Sequence, residues 1–239
     1  MKIIGLIGGM SCESSAHYYK RLNDRVRAQL GGLHSADILM WSVDFAPIAQ
    51  MQDENHWQEA GVYLAKVGRR LEQAGAEVLV LASNTMHKVA DIIEASTSVP
   101  FIHIADATAE KIKTAGKRKP AILATRFTME QEFYIGRLRE KFGLDVIVPE
   151  EADRALVHRI IYDELCVGRI TEASRQAYVD VAQRLAMKGA DSLILGCTEV
   201  GMLLDASNAP LPIFDTALIH ADAAVDFALG LTSTAQAAE

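Results

Sequence analysis

The sequence is poor in aromatic residues, has no basic excess, holds three cysteines and contains no long apolar run. Each shortage closes off a class of protein. Net charge is −7 with no basic stripe, which argues against nucleic acid as a partner. No apolar stretch reaches the roughly 18–20 residues of a membrane span, so no membrane association is expected. The N-terminus runs straight into a strand pattern, and no signal peptide is expected. Cys12, Cys166 and Cys197 lack the paired spacing of a zinc site. An odd cysteine count without a disulfide framework points to reduced thiols and a cytoplasmic setting. Aromatics are 6% of a chain that is half apolar, so Ala, Leu, Ile and Val carry the core, as in helix-covered parallel sheets. A length of 239 residues allows one large domain or two small lobes.

Several chemical signatures are missing as well. Gly5, Gly8 and Gly9 do not make the G-x-G-x-x-G of a dinucleotide site, and there is no Walker lysine pattern. Ser83 lacks the G-x-S-x-G context of a hydrolase nucleophile.

What is present is a duplication. Gly75-Ala76-Glu77-Val78-Leu79-Val80-Leu81-Ala82-Ser83-Asn84-Thr85 aligns with Gly189-Ala190-Asp191-Ser192-Leu193-Ile194-Leu195-Gly196-Cys197-Thr198-Glu199 at an offset of 114 residues (75 to 189, 83 to 197). Each copy reads as a buried strand ending in a small nucleophilic residue and a polar turn. Such a pair can bring Ser83 and Cys197 to opposite sides of one carbon.

The rest of the chain alternates strand and helix. Strands are expected at Lys2 to Ile7, Ala36 to Val43, Val78 to Ala82 and Pro100 to Ile104. Helices are expected at Cys12 to Gln29, at Trp57 to Ala74 with Gly75 as a stop, and from Thr85 toward Ser96. The second half restarts with strands at Pro120 to Ala124, an offset near 117 from Ile3 to Ile7, and at Leu144 to Val148. Helices follow at residues 153–165 and 171–188, then strands at Leu193 to Leu195 and Pro212 to Phe214, and a helix at Thr216 to Leu229. Thr232 to Glu239 reads as a frayed tail. The alternation predicts an α/β fold of right-handed βαβ units. With the repeat, it predicts two similar α/β lobes. The lobes are expected at 1–105 plus 215–239 and at 106–214, with a linker near Ala105 to Lys119.

Ligands of parallel sheets bind beyond the carboxyl ends of the strands. Four such ends carry glycine, hydroxyls or amides ahead of expected helices: Gly8 to Ser11, Ser83 to Thr85, Thr125 to Thr128 and Cys197 to Glu199. Free N–H groups at helix N-termini hold carboxylates without a basic patch, which suits a small anionic substrate. A helix N-terminus can also lower the pKa of Cys197 and supply a thiolate; the plain structural reading is a buried, inert cysteine, and Cys12 and Cys166 stay closer to it. Glu199 can orient the thiol or cap the backbone. His87 is expected on a helix surface or packed there. His103 with Asp106, or His87 with Asp91, have the residue types of a metal pair, yet a lone pair at such spacing is more often structural, and no metal is expected.

These motifs resemble the aspartate/glutamate racemase family. The residues that carry the likeness are Gly5-Leu6-Ile7-Gly8-Gly9-Met10-Ser11, Ser83-Asn84-Thr85-Met86-His87, Thr125-Arg126-Phe127-Thr128-Met129 and Gly196-Cys197-Thr198-Glu199, spread from Met1 to about Leu229. The chain is most similar to a bacterial branch specific for L-aspartate and L-glutamate. The resemblance implies racemisation without pyridoxal phosphate or any other cofactor, two pseudo-symmetric αβα lobes, each with a central, mostly parallel sheet, an active site between the lobes, an acidic amino-acid substrate and a homodimer. In the family two thiols face the substrate α-carbon, one removing a proton and the other returning one. Cys197 matches the second thiol. Ser83 stands in place of the first, where the similar branch carries threonine, and a hydroxyl is a far weaker base; activity is therefore expected to be lopsided or slow. By the same resemblance Asn84, Thr85 and Thr198 contact the α-carboxylate and ammonium. Gln52, the Met10 backbone and Thr125 contact the side-chain carboxylate. Cys166 stands where many relatives carry a lysine for that carboxylate.

Two other readings fit a lone thiol. One is a decarboxylase or isomerase of the same superfamily that needs a single cysteine. The other is a catalytically impaired protein that binds L-glutamate or L-aspartate.

Overall fold

The computed structural model describes residues 1–231, so the expected tail at Thr232 to Glu239 lies outside the described residues. The chain divides into two compact units, Met1–His103 with the chain from His220 onward, and Ile104–Ile219.

The first unit is built on a parallel sheet in the order β2-β1-β3-β4. Strands β1 (Ile4–Gly8) and β3 (Val78–Leu81) lie at its centre and are buried along their whole length. Burial on both faces is why they read as unbroken apolar runs rather than alternating ones. Each fully buried Leu, Ile or Val there contributes roughly 1.5–3 kcal/mol. The edges β2 (Ile38–Ser42) and β4 (Phe101–Ile102) are only partly covered. Helix α1 (Cys12–Leu30) starts at Ser11, whose hydroxyl accepts from Ser14 N, and buries Tyr18, Leu22 and Val26 on one face. A helix that the sequence reading does not contain, α2 (Phe45–Asp53), is capped by Asp44 and precedes α3 (Trp57–Gln73). Gly75, at φ +107°, ends α3 as expected; its counterpart Gly189, at φ +87°, does the same in the second unit.

The second unit repeats the plan. Strands β5 (Pro120–Ala124), β6 (Ser192–Gly196) and β7 (Ile213–Asp215) are parallel in that order, and Ile147 bridges to Ala121 on the outer side of β5. In the first sheet Ile4 pairs with Val78, and in the second Pro120 pairs with Ser192. The register therefore relates β1 to β5 by 116 residues (4 to 120) and β3 to β6 by 114 (78 to 192).

Four expectations need correction. The stretch from Thr85 toward Ser96 is not one helix but a 3-10 turn, Thr85–Val89, followed by α4 (Ala90–Glu94). The fourth strand stops at Ile102, because Ile104 already begins α5 (Ile104–Thr114). The expected linker is therefore mostly helix, and α5 buries Ala105, Thr108, Ala109 and Ile112. The expected strand at Leu144 to Val148 shrinks to the single bridge at Ile147. Helices α6 (Arg126–Glu130) and α7 (Glu132–Phe142) take the place of the helix expected, without bounds, at the Thr125 to Thr128 strand end, and α8 (Glu151–Asp163) and α9 (Glu172–Met187) match their expected ranges closely.

The last helix, α10 (Thr216–Ala228), runs through the division at 219–220. From His220 onward it packs in the first unit. Tyr18 bonds His220, Arg21 grips Asp222 through two contacts of 2.7 and 2.5 Å, Arg25 meets Asp226, and Lys2 N donates to Ala228 O. In the same way α5 follows a strand of the first unit yet belongs to the second. Each copy of the repeat thus ends by giving a helix to the other unit.

Candidate active site

In the first unit the candidate residues gather where β1 and β3 end. These strands pair from Ile4↔Val78 to Ile7↔Leu81, so their C-terminal turns open side by side. Ala82 N donates to Ile7 O, and Ser14 Oγ from the first turn of α1 donates to Ala82 O. The loop Gly8–Ser11 is braced by Ser15, whose Oγ accepts from Gly9 N at 2.6 Å and donates to Ser11 O at 2.9 Å. Met10 is buried in this loop, ahead of a cis peptide to Ser11.

Ser83 sits two residues beyond β3 and is buried together with Asn84 and Thr85. Its N–H donates to Leu81 O, and its Oγ accepts from Met86 N at 3.3 Å, which leaves the hydroxyl hydrogen to donate elsewhere. Gln52 reaches this cluster from the last turn of α2, and its Nε2 donates to Met86 Sδ at 2.9 Å. The unit therefore brings Gln52 to the turn after β3 that carries Ser83, Asn84 and Thr85, with the Met10 loop at the neighbouring strand end.

In the second unit β5 and β6 end side by side in the same manner, at Thr125 and at Cys197-Thr198-Glu199. Thr125 is the N-cap residue of α6, and its Oγ1 lies 3.3 Å from that of Thr128. Cys197 Sγ donates to Glu199 Oε2 at 2.9 Å, and Thr198 Oγ1 donates to the same oxygen at 2.6 Å. Cys166 Sγ stands 4.0 Å from the other oxygen, Oε1. Glu199 is only 1% exposed, so this carboxylate meets the thiols away from bulk water.

That burial reverses one expectation. The turn after β6 is a three-residue 3-10 element, Val200–Met202, not a long helix whose dipole would favour a thiolate. Burial, then the negative charge of Glu199, then Cys166 push the Cys197 pKa well above the usual thiol value. Cys197 is a thiol at neutral pH, and once ionised it is a strong base. The same surroundings push Tyr178 well above its ordinary value, burial first and the charges of Cys197 and Glu199 next. The Tyr178 hydroxyl donates to Val157 O at 3.1 Å and is structural.

Sequence reasoning left Glu199 open between orienting the thiol and capping the backbone. Its side chain makes no cap hydrogen bond and accepts hydrogen bonds from the Cys197 thiol and the Thr198 hydroxyl instead. His87, expected on a helix surface or packed there, is packed: it is buried and bonds the Ser83 carbonyl. Asp106 is engaged by Arg137 and Lys141. Among the described residues no group of three or more His, Cys, Asp or Glu could hold a metal ion, and no helix is long and apolar enough to cross a membrane.

Residues 7–224 match the model of the Asp/Glu/hydantoin racemase family. The chain belongs to that family. Among solved structures, a Yersinia pestis protein provisionally named an Asp/Glu racemase is 55% identical, with a TM-score of 0.89 over 96% of this chain and 100% of that one. An aspartate racemase homologue from Pyrococcus horikoshii is 33% identical, with a TM-score of 0.83 over 96% and 100% of the two chains. The broad-specificity amino-acid racemase of Bacillus subtilis is 24% identical over 97% of this chain and 100% of its own length. Membership in the Asp/Glu/hydantoin racemase family accords with the two parallel-sheet units and their matched strand ends.

Proposed function

We propose that this protein racemises an acidic amino acid, aspartate or glutamate, by removing and returning the α-proton without pyridoxal phosphate. The observation that supports this most directly is the 2.9 Å contact between Cys197 and Glu199. A thiol beside a buried carboxylate is equipped to pass its proton on and become a base. In the proposed cycle Glu199 accepts the Cys197 proton, and the thiolate takes the α-proton of the substrate, becoming a thiol again. The carbanion then receives a proton on its opposite face from the Ser83 hydroxyl. Exchange with water returns Glu199 to the carboxylate and reprotonates Ser83. Asn84, Thr85 and Thr198 would hold the α-carboxylate and ammonium, where fixed donors stabilise developing charge most. Gln52, the Met10 backbone and Thr125 would hold the side-chain carboxylate, without the lysine that Cys166 replaces. A homodimer is supported by the family likeness alone, and a cytoplasmic setting by the odd count of cysteines.

Ser83 makes the two half-reactions unequal. Enantiomers have equal free energies, so kcat/KM is the same in both directions whatever the catalyst. The inequality must therefore surface as uptake of solvent deuterium without inversion, from the enantiomer whose α-proton faces Cys197. The test is to incubate L- and D-glutamate and L- and D-aspartate in deuterated water and follow the α-proton by NMR. Exchange that is faster than inversion for one enantiomer, and lost in Cys197→Ala, is the expected result. Absence of Cys197-dependent exchange from all four removes the proposal, and carbon dioxide release from a malonate in its place would select the single-thiol decarboxylase.

A further inference from the structure

Three buried histidines pack together in the first unit, behind the turn that carries Ser83. The His87 ring centroid lies 4.6 Å from that of His103 and 5.7 Å from that of His220, and Phe101 closes a further side at 5.5 Å. His103 is the last residue before the chain leaves this unit, and His220 is the first after it returns.

The hydrogen bonds assign the tautomers. A carbonyl oxygen only accepts, so His220 Nε2 carries a proton toward Ile102 O at 2.7 Å, and its Nδ1 accepts from the Tyr18 hydroxyl at 2.9 Å. By the same logic His87 Nδ1 carries a proton toward Ser83 O at 2.7 Å. That bond fills a gap left by the backbone. In an α-helix the N–H of residue 87 would bond the carbonyl of residue 83. Here the turn is 3-10, and His87 N donates to Asn84 O instead. The Ser83 carbonyl has lost its helical partner, and the imidazole takes that place. A buried carbonyl left without a donor is destabilising, so the side chain favours this form of the turn.

We propose that His87 is a positioning residue for Ser83: its Nδ1–H holds the 3-10 turn that aims the Ser83 hydroxyl, and His103 and His220 hold the His87 ring. The catalytic consequence rests on the racemase reading, in which Ser83 returns the proton; the structural consequence does not. Without the imidazole the turn relaxes toward an α-helix, in which His87 N bonds Ser83 O, and the hydroxyl is carried to a new direction. Cys197 is untouched.

Two measurements test this. Imidazole 15N NMR at pH 7 should find His87 in the Nδ1–H tautomer, and His87→Leu should shift the amide signals of residues 82–89 while leaving those of residues 192–199 in place. This arm holds whether or not any amino acid turns over. In the activity arm, His87→Leu should lower kcat for inversion about tenfold or more. KM, and the Cys197-dependent deuterium uptake without inversion, should stay within about twofold. His87→Asn, whose Nδ2 can take the place of Nδ1, should recover most of the loss. An Nε2–H tautomer, an undisturbed 82–89 segment in His87→Leu, or equal losses of inversion and exchange would each overturn the assignment. Should wild-type protein exchange no α-proton at all, the racemase reading fails, and the NMR arm alone judges the role of His87.

Discussion

The thiol of Cys197 and the carboxylate of Glu199 meet at 2.9 Å, with Thr198 donating to the same oxygen at 2.6 Å. A buried anion beside a thiol keeps the proton on sulfur, and in the proposed cycle it is also the acceptor for that proton. The two roles separate experimentally.

Glu199→Gln should lower the Cys197 pKa, because it removes a negative charge and a carboxylate acceptor that both favour the thiol. Alkylation of Cys197 by iodoacetamide at pH 7.5, followed by mass spectrometry of its peptide, should quicken, because a lower pKa raises the thiolate fraction. Deuterium exchange from substrate should slow by roughly 10²-fold or more, the usual loss when an acid–base partner is removed. Parallel changes in the two rates would contradict the assignment.

Ser83→Cys should raise inversion by about tenfold or more, since a cysteine carries a few per cent of thiolate near neutral pH and a serine essentially no alkoxide. Deuterium uptake without inversion should fall as a share of turnover. Following both enantiomers by chiral chromatography in deuterated water reads the two quantities at once.

His220 is fully buried, and desolvation depresses its pKa to about 4 from 6.5. The unfolded chain takes up its proton as pH falls through 6.5, and the folded chain does so only near 4. Stability contributed by neutral His220 is therefore complete above pH 6.5 and is lost as pH drops toward 4. Between pH 7 and 4.5 this amounts to roughly 2–3 kcal/mol. Urea unfolding at the two values checks it, and His220→Asn should flatten the dependence even if it lowers stability at pH 7.

Gly9→Ala should destabilise the first unit by roughly 3 kcal/mol or more. Its φ is +96°, and an added Cβ would stand 2.2 Å from Val43 O and 2.4 Å from Val43 N, backbone atoms that cannot step aside. Gly116→Ala is the control, with φ +71° and nothing within 4 Å of the new carbon; it should cost only about 1–2 kcal/mol. Urea midpoints compare the pair.

The central strands β1, β3, β5 and β6 were legible because parallel strands covered on both faces leave unbroken apolar runs. The matched positions of Ser83 and Cys197 were legible for the same reason, since each terminates such a run. Edge elements were not. Only Ile147 of the expected strand at Leu144 to Val148 pairs with a neighbour, and β4 is two residues long. Helix α5 hid in an expected linker because its buried face is mostly small, with Ala105, Thr108 and Ala109 ahead of Ile112. In α2 a proline at the third position masks a helix that Asp44 nevertheless starts. The roles of Glu199 and His87 turn on which way a side chain folds back against its own strand end, and residue spacing carries no record of that.

The attachment of the last helix to the first unit has a consequence for biosynthesis. Ile104–Ile219 is a single uninterrupted segment and can close its core as soon as it clears the ribosome. Met1–His103 is made earlier, yet the partners of Tyr18, Arg21 and Arg25 lie on α10 at His220, Asp222 and Asp226. The N-terminal segment therefore cannot complete these contacts until the chain has been made through Asp226, after the whole of Ile104–Ile219.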